Sequence, residues 1–289
     1  MNQKQKKIIW IPSYPKSGNT WVRAIITSFL YSPEGIFDFE LLKFIPVFEN
    51  LNRYEFVKKL NQDDYIKIKN NIETTSKYWI ESQKLLVFNK NLNSKYNIFK
   101  THSANLMANN NKFTDSQLTQ GMIYIVRDPR EIVVSYSKFQ GKTIDETIDF
   151  LSLKGAILLP EKNLTTTLMS SWDVHFQSWK MLSVPKLLIR YEDLLVDTVN
   201  VINKISEFLN NILDLKKDVN YKIIENIYQS TQFEKFKIYE KNFGFNEASS
   251  YSSFFRSAQI STWKDELSLI QTFKIEKLFS KTMSELNYL

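Results

Sequence analysis

The chain has 289 residues, of which 43% are hydrophobic and 14% aromatic, so it can build a sizeable core and is not a wholly disordered polymer. It has no cysteine and only two histidines, which excludes disulfides, thiolate metal sites and cysteine nucleophiles and leaves little for a histidine-rich metal site. The net charge of +7 fits either a lysine-rich composition or an anionic partner, and only six of the 38 basic residues are arginine: Arg23, Arg53, Arg127, Arg130, Arg190 and Arg256.

In chain order, the basic start MNQKQKK leads into the apolar run Ile8–Ile11, which stops at Pro12. This run predicts a buried strand. It is shorter than the roughly 7–15 apolar residues of a secretory signal or the about 20 of a membrane helix, so a cytoplasmic chain with no integral membrane segment is expected. Asn19–Leu30 sets Trp21, Ile25 and Phe29, with Val22 and Ile26, at helical spacing. Ser32–Asn93 is polar, with helical patches and aromatic insertions. Tyr96–Lys100 predicts a second strand and Asn109–Asn111 a loop. Met122–Val126 predicts a third strand, followed by a helix over Pro129–Phe139 with Asp128 as its N-cap. Gln140–Thr167 is a second polar stretch. Ser170–Leu182 predicts a helix whose Trp172, Phe176 and Trp179 share a face, with both tryptophans read as core. Lys186–Arg190 predicts a fourth strand, and Asp197–Leu209 and Leu267–Leu278 predict amphipathic helices. Short apolar runs alternating with longer helical stretches predict an α/β fold with a mostly parallel sheet. No Pro-, Gly- or Ser-rich linker divides the chain, so residues 1–289 are read as one domain. The stretches at about 32–93 and 140–167 are read as insertions that select an acceptor.

Two segments carry the chemistry. The first is YPKSGNTW, Tyr14–Trp21, a glycine-containing turn between a strand and a helix. Backbone N–H groups of such a turn, and the positive end of the helix dipole, bind phosphate. It is not a Walker A loop, because Lys16 precedes Gly18 instead of following the last glycine. No magnesium ligand is therefore set up, and no metal is expected. The second is RDPREIVVSY, with Arg127 at the carboxyl end of a strand and Ser135 two turns into the next helix. Ligands of parallel α/β sheets bind outside the carboxyl ends of the strands, and arginine suits bidentate phosphate binding.

Together these segments resemble the PAPS-dependent sulfotransferase family, its cytosolic and bacterial branch; PAPS is 3′-phosphoadenosine 5′-phosphosulfate. The resemblance runs along the whole chain. It includes FKTH at Phe99–His102, SWDVHFQSW and KLLIRYEDL across Ser171–Leu194, TQF at Thr231–Phe233, and FFRSAQISTWKD at Phe254–Asp265. It implies a P-loop-like three-layer α/β/α fold around a central, mostly parallel sheet. It also implies that Lys16, Ser17, Gly18, Asn19, Thr20 and Trp21 bind the 5′-phosphosulfate end. Arg127, Ser135, Arg256, Ser257 and Ala258 would bind the 3′-phosphate, and Tyr191, Thr231 and Phe233 would lie about the adenine with Trp21. The last loop departs from the family pattern RKGxxGDWK: Arg256, Trp263 and Lys264 match, but Ser257, Ala258 and Ser261 replace a lysine and two glycines. One lysine contact to the 3′-phosphate is thereby lost.

The expected reaction moves a sulfonate from PAPS to a hydroxyl or amine of an acceptor, leaving 3′-phosphoadenosine 5′-phosphate (PAP). His102 is the expected base, because imidazole titrates near neutral pH. Lys16 would hold the bridging oxygen and Lys100 the sulfonate, Lys100 and His102 being two apart on a strand and so on one face. His175 is read as packing or as a wall of the acceptor site. The acceptor is expected to be a small molecule, lipid or glycan. No nucleic-acid signature accompanies the charge, and oligomeric state is not legible. The alternative reading is a PAPS- or PAP-binding module without transfer activity, motivated by the altered last loop.

Overall fold

The computed structural model describes residues 6–54, 62–88, 95–160, 162–256 and 259–289. In chain order the elements begin β1 (Ile8–Pro12), α1 (Asn19–Tyr31), α2 (Gln62–Asn70), α3 (Ile72–Ser76), α4 (Trp79–Phe88), β2 (Ile98–Thr101), β3 (Met107–Ala108) and β4 (Asn111–Lys112). Next come β5 (Thr119–Val126), α5 (Pro129–Gln140), α6 (Ile144–Ser152), β6 (Ile157–Leu158), β7 (Thr167–Leu168), α7 (Trp172–Lys180) and β8 (Lys186–Arg190). The chain ends with α8 (Tyr191–Val196), α9 (Thr198–Leu213), α10 (Tyr221–Ser230), α11 (Phe233–Phe243), α12 (Trp263–Glu266) and α13 (Leu269–Glu285).

The four expected strands form one sheet in the order β2-β1-β5-β8. β1 pairs in parallel with β2, Ile9 opposite Ile98 and Pro12 opposite Thr101, and in parallel with β5, Ile9 opposite Gly121. All five residues of β1 are buried, as expected for an apolar run covered on both faces. Element limits differ from expectation where local chemistry sets them. β2 starts at Ile98 and takes in Thr101, which pairs with Pro12. α13 starts at Leu269 because Ser268, its N-cap, and Gln271 in its first turn form a capping box. The expected loop at Asn109–Asn111 is the tip of a hairpin, with Asn109 and Asn110 at positive φ and Asn111 already in β4. No helix among the described residues is long and apolar enough to cross a membrane.

The chain forms two compact units, each assembled from three segments: Met1–Tyr14, Lys43–Tyr124 and Lys154–Leu188 in the first, Pro15–Leu42, Ile125–Leu153 and Ile189–Leu289 in the second. The first has an aromatic core. Trp10 meets Phe48 edge-on at 4.9 Å, and Phe113 meets Trp79 at 5.2 Å and Trp179 at 5.8 Å. Trp172 and Trp179 are buried here, as the helical stripe predicted. In the second unit the apolar face of α1, with Val22, Ile25, Ile26 and Phe29 all buried, packs against α9 and α10. Asp197 caps α9 and Asn220 caps α10 through their side chains.

Candidate functional site

In the second unit, Lys16 at φ 66° and Gly18 at φ 89° turn the chain into α1 through left-handed conformations. A Cβ on Gly18 would lie 2.6 Å from Cδ2 of Tyr191, so this position accepts only glycine without displacement. Gly18 is the N-cap of α1, and as a glycine it offers no side chain to cap that helix end. The hydroxyls of Ser17 and Thr20 and the indole N–H of Trp21 are buried and have no hydrogen-bond partner among the described residues. Each such atom costs on the order of 1–3 kcal/mol, and buried polar groups of this kind are a mark of a ligand or water site. Two hydroxyls and a helix N-terminus match the chemistry of a phosphate or sulfate oxygen.

Arg127 is buried beside this turn. Its Nη1 donates to the Lys16 carbonyl at 3.0 Å, its Nη2 pairs with Glu131 at 3.2 Å, and its guanidinium stacks 4.2 Å over the Tyr191 ring. Glu131 also accepts from the Thr262 hydroxyl at 2.8 Å and the Trp263 amide at 3.2 Å, tying α12 to the start of α5. Burial raises the Tyr191 phenol above its ordinary range and the neighbouring Arg127 opposes that shift, so the ring stays neutral under the arginine. Arg130 serves the scaffold: Asp128 grips its Nε and Nη2 with both oxygens, Glu276 accepts from Nη1 at 2.5 Å, and the Tyr288 carbonyl also accepts from Nη2 at 2.9 Å.

Lys16 Nζ donates to the Phe254 carbonyl at 3.4 Å and lies over the Phe139 and Phe254 rings at 4.4 and 4.2 Å. Ser135 is half-buried on α5, eight residues beyond Arg127. Arg256 is half-buried and pairs with Glu266 at 3.6 Å. Trp21 and Phe233 stand 6.4 Å apart, tilted by 45°. Thr231 is fully buried, and its hydroxyl donates to the Ile227 carbonyl at 2.8 Å, closing α10. Asn19 is buried in the first turn of α1. Ser257 and Ala258 lie outside the described residues.

The first unit holds His102, one residue past β2, so strand alternation does not set its direction. A hydrogen bond does. Nδ1 donates to the Ser13 carbonyl at 2.6 Å, which places the lone pair on Nε2. The backbone around it is fastened on both sides. Glu49 accepts from the hydroxyls of Thr101 and Ser103 and from the Ser103 amide, and the Trp179 indole donates to the Ser103 carbonyl at 2.9 Å. His175 Nε2 donates to the His102 carbonyl at 3.1 Å, while its Nδ1 accepts from the Tyr124 hydroxyl at 2.7 Å. Burial lowers the His175 pKa to about 3, so this ring is neutral at working pH and holds its neighbour's backbone. Burial also pushes the Glu49 carboxyl above its ordinary value. Lys100 is buried on β2, its N–H and C=O engaged with the Pro46–Phe48 segment.

Sequence reasoning missed Glu49 and Glu131. Glu131 follows Arg127 by four residues on a helix, a spacing that signals an ion pair. Glu49 carries no local signal, since its partners are more than 50 residues away.

A family model described as "Sulfotransferase domain" matches residues 6–287. Sulfotransferase 2A6 of Rattus norvegicus is 27% identical over 180 residues, 56% of this chain and 56% of that one, so the match spans about half the length of that relative. Flavonol 3-sulfotransferase of Flaveria bidentis is 24% identical over 95% of this chain and 81% of its own. Among solved structures, retinol dehydratase in complex with retinol and PAP has a TM-score of 0.62 at 18% identity, covering 97% of this chain and 82% of that one, which shows a shared α/β fold. Because one domain model takes in the phosphate turn, the Arg127 helix and the His102 strand end alike, this chain belongs to the sulfotransferase family.

Proposed function

We propose that the protein transfers a sulfonate from PAPS to a hydroxyl or amine of a small acceptor and releases PAP. The observation that carries this reading is the set of buried donors at the start of α1 that have no partner among the described residues, Ser17 Oγ, Thr20 Oγ1 and Trp21 Nε1, beside Gly18 and the buried Arg127. These groups fit a nucleotide's sulfated 5′-phosphate, and PAPS supplies the activated sulfonate when bound.

In this mechanism the α1 turn holds the phosphosulfate by charge and N–H donation. His102 Nε2 takes the proton of the acceptor hydroxyl as that oxygen bonds to sulfur. The bond between sulfur and the bridging oxygen breaks in line, and Lys16 neutralises the charge left on the 5′-phosphate. Lys100 would offset charge on the transferred oxygens. Arg127, Ser135 and Arg256 hold the 3′-phosphate, and Trp21 and Phe233 flank the base. The names of a flavonol-sulfating relative and a retinol-binding neighbour favour a hydroxyl on an apolar scaffold as acceptor.

The test supplies the protein with PAPS carrying labelled sulfonate, a panel of phenols, sterols, lipids and glycans, and a cell extract, and reads label transfer by mass spectrometry. Transfer that falls on the order of 10²–10⁴-fold in His102→Ala supports the mechanism. Unchanged turnover in that variant removes His102 as the base. PAP binding with no transfer to any acceptor favours the inactive nucleotide-binding module, and no PAP binding defeats both readings.

A further inference from the structure

Basic side chains beyond the two phosphate motifs converge at one further place in the second unit. Lys138 lies three residues beyond Ser135 on α5, a spacing that puts both on one helix face. Its ammonium is ion-paired with Glu266 at the end of α12. The guanidinium of Arg256 approaches the other oxygen of the same carboxylate at 3.6 Å. Two cations from distant parts of the chain therefore point at one anionic position. That position is tied to Arg127 as well, because Glu131 Oε2 binds both Arg127 and the Thr262 hydroxyl while its Oε1 accepts from the Trp263 amide at the start of α12.

We propose that Lys138 is a nucleotide-binding residue: with Arg256 it forms a two-cation seat for the 3′-phosphate, and Glu266 marks that seat and competes for it. The proposal rests on the PAPS reading above. A phosphate dianion carries more charge than one carboxylate and offers three acceptor oxygens, so it outcompetes Glu266 for two basic groups. Opening the existing pairs costs little, since the Lys138, Arg256 and Glu266 side chains are 37%, 29% and 28% exposed.

The test is calorimetric binding of PAP and of adenosine 5′-monophosphate, which lacks the 3′-phosphate, to the full chain. Wild type should bind PAP at least tenfold more tightly than the monophosphate. Lys138→Gln should weaken PAP about tenfold and leave the monophosphate unchanged, Lys138→Arg should retain PAP affinity, and Glu266→Gln should strengthen PAP about threefold. The proposal is overturned if Lys138→Gln binds PAP like wild type, if it loses both nucleotides equally, or if Glu266→Gln weakens PAP. A wild type that does not distinguish the two nucleotides overturns it too, and with it the PAPS reading; the other three outcomes leave that reading standing.

Discussion

Replacing Gly18 by alanine tests the link between the phosphate turn and the arginine beside it. At φ 89° an L-residue costs about 1–2 kcal/mol, because Cβ meets the following carbonyl. The added Cβ would sit 2.6 Å from Cδ2 and 3.0 Å from Cε2 of Tyr191, a ring buried on one side and stacked under Arg127 on the other. Overpacking of this kind costs about 1–3 kcal/mol more. The total, roughly 2–5 kcal/mol, corresponds to a fall in Tm of roughly 4–10 °C for a chain of this size. Gly155→Ala is the reference, since Gly155 has φ 83° but nothing within 4 Å of its Cβ position. It should lose only the backbone part, about 1–2 kcal/mol. In a Tyr191→Leu background Gly18→Ala should likewise cost no more than the reference, which a double-mutant cycle in scanning calorimetry would show. PAP affinity should fall with Gly18→Ala, because the ring that must move carries Arg127. If Gly18→Ala melts within about 1 °C of Gly155→Ala, the contact with Tyr191 does not carry the cost and the coupling is refuted.

Three other perturbations follow from the same geometry. His175, with its pKa lowered from 6.5 to about 3, stays neutral when the unfolded chain would protonate it. Its contribution is therefore complete above pH 6.5 and is lost as pH falls toward 3, a full shift worth roughly 5 kcal/mol. Urea stability of His175→Gln should then fall less steeply than wild type between pH 6.5 and 4.5, and equal slopes would contradict a buried neutral imidazole. Glu131→Gln removes the carboxylate shared by Arg127, Thr262 and Trp263, and should weaken PAP about tenfold in calorimetry; unaltered affinity would separate Arg127 from the nucleotide. Arg130→Met strands the buried Asp128 carboxylate and should cost about 3–5 kcal/mol in denaturant unfolding, a loss under 1 kcal/mol showing that the clamp is not structural.

The strands and the two helices that begin at the phosphate motifs were legible because their signals are local. An apolar run such as IIWI, a Pro129 after an Asp128, or a glycine between strand and helix needs no distant partner. α10 and α11 were not read, since the apolar face of α10 with Ile224 and Ile227 makes sense only once α1 packs against that helix, and Phe236 of α11 only once Phe37, Phe39 and Phe255 surround it. The frame of His102 was hidden for the same reason: Ser13, Glu49 and His175 come from three separate parts of the chain. His102 falls one residue past β2, so the strand rule that paired it with Lys100 does not reach it, and a side-chain hydrogen bond to the Ser13 carbonyl orients the ring instead. The two units, each stitched from three segments, left no composition boundary to find.

The pairing of the two histidines also makes the protein readable by nuclear magnetic resonance. Only four imidazole nitrogens exist in the chain. Two belong to a sealed ring whose tautomer is dictated by Tyr124 and by a backbone carbonyl, so their resonances should stand still across neutral pH. Any imidazole signal that moves there therefore belongs to His102, and the ionisation of the proposed base can be followed in the intact protein without labelling a single site.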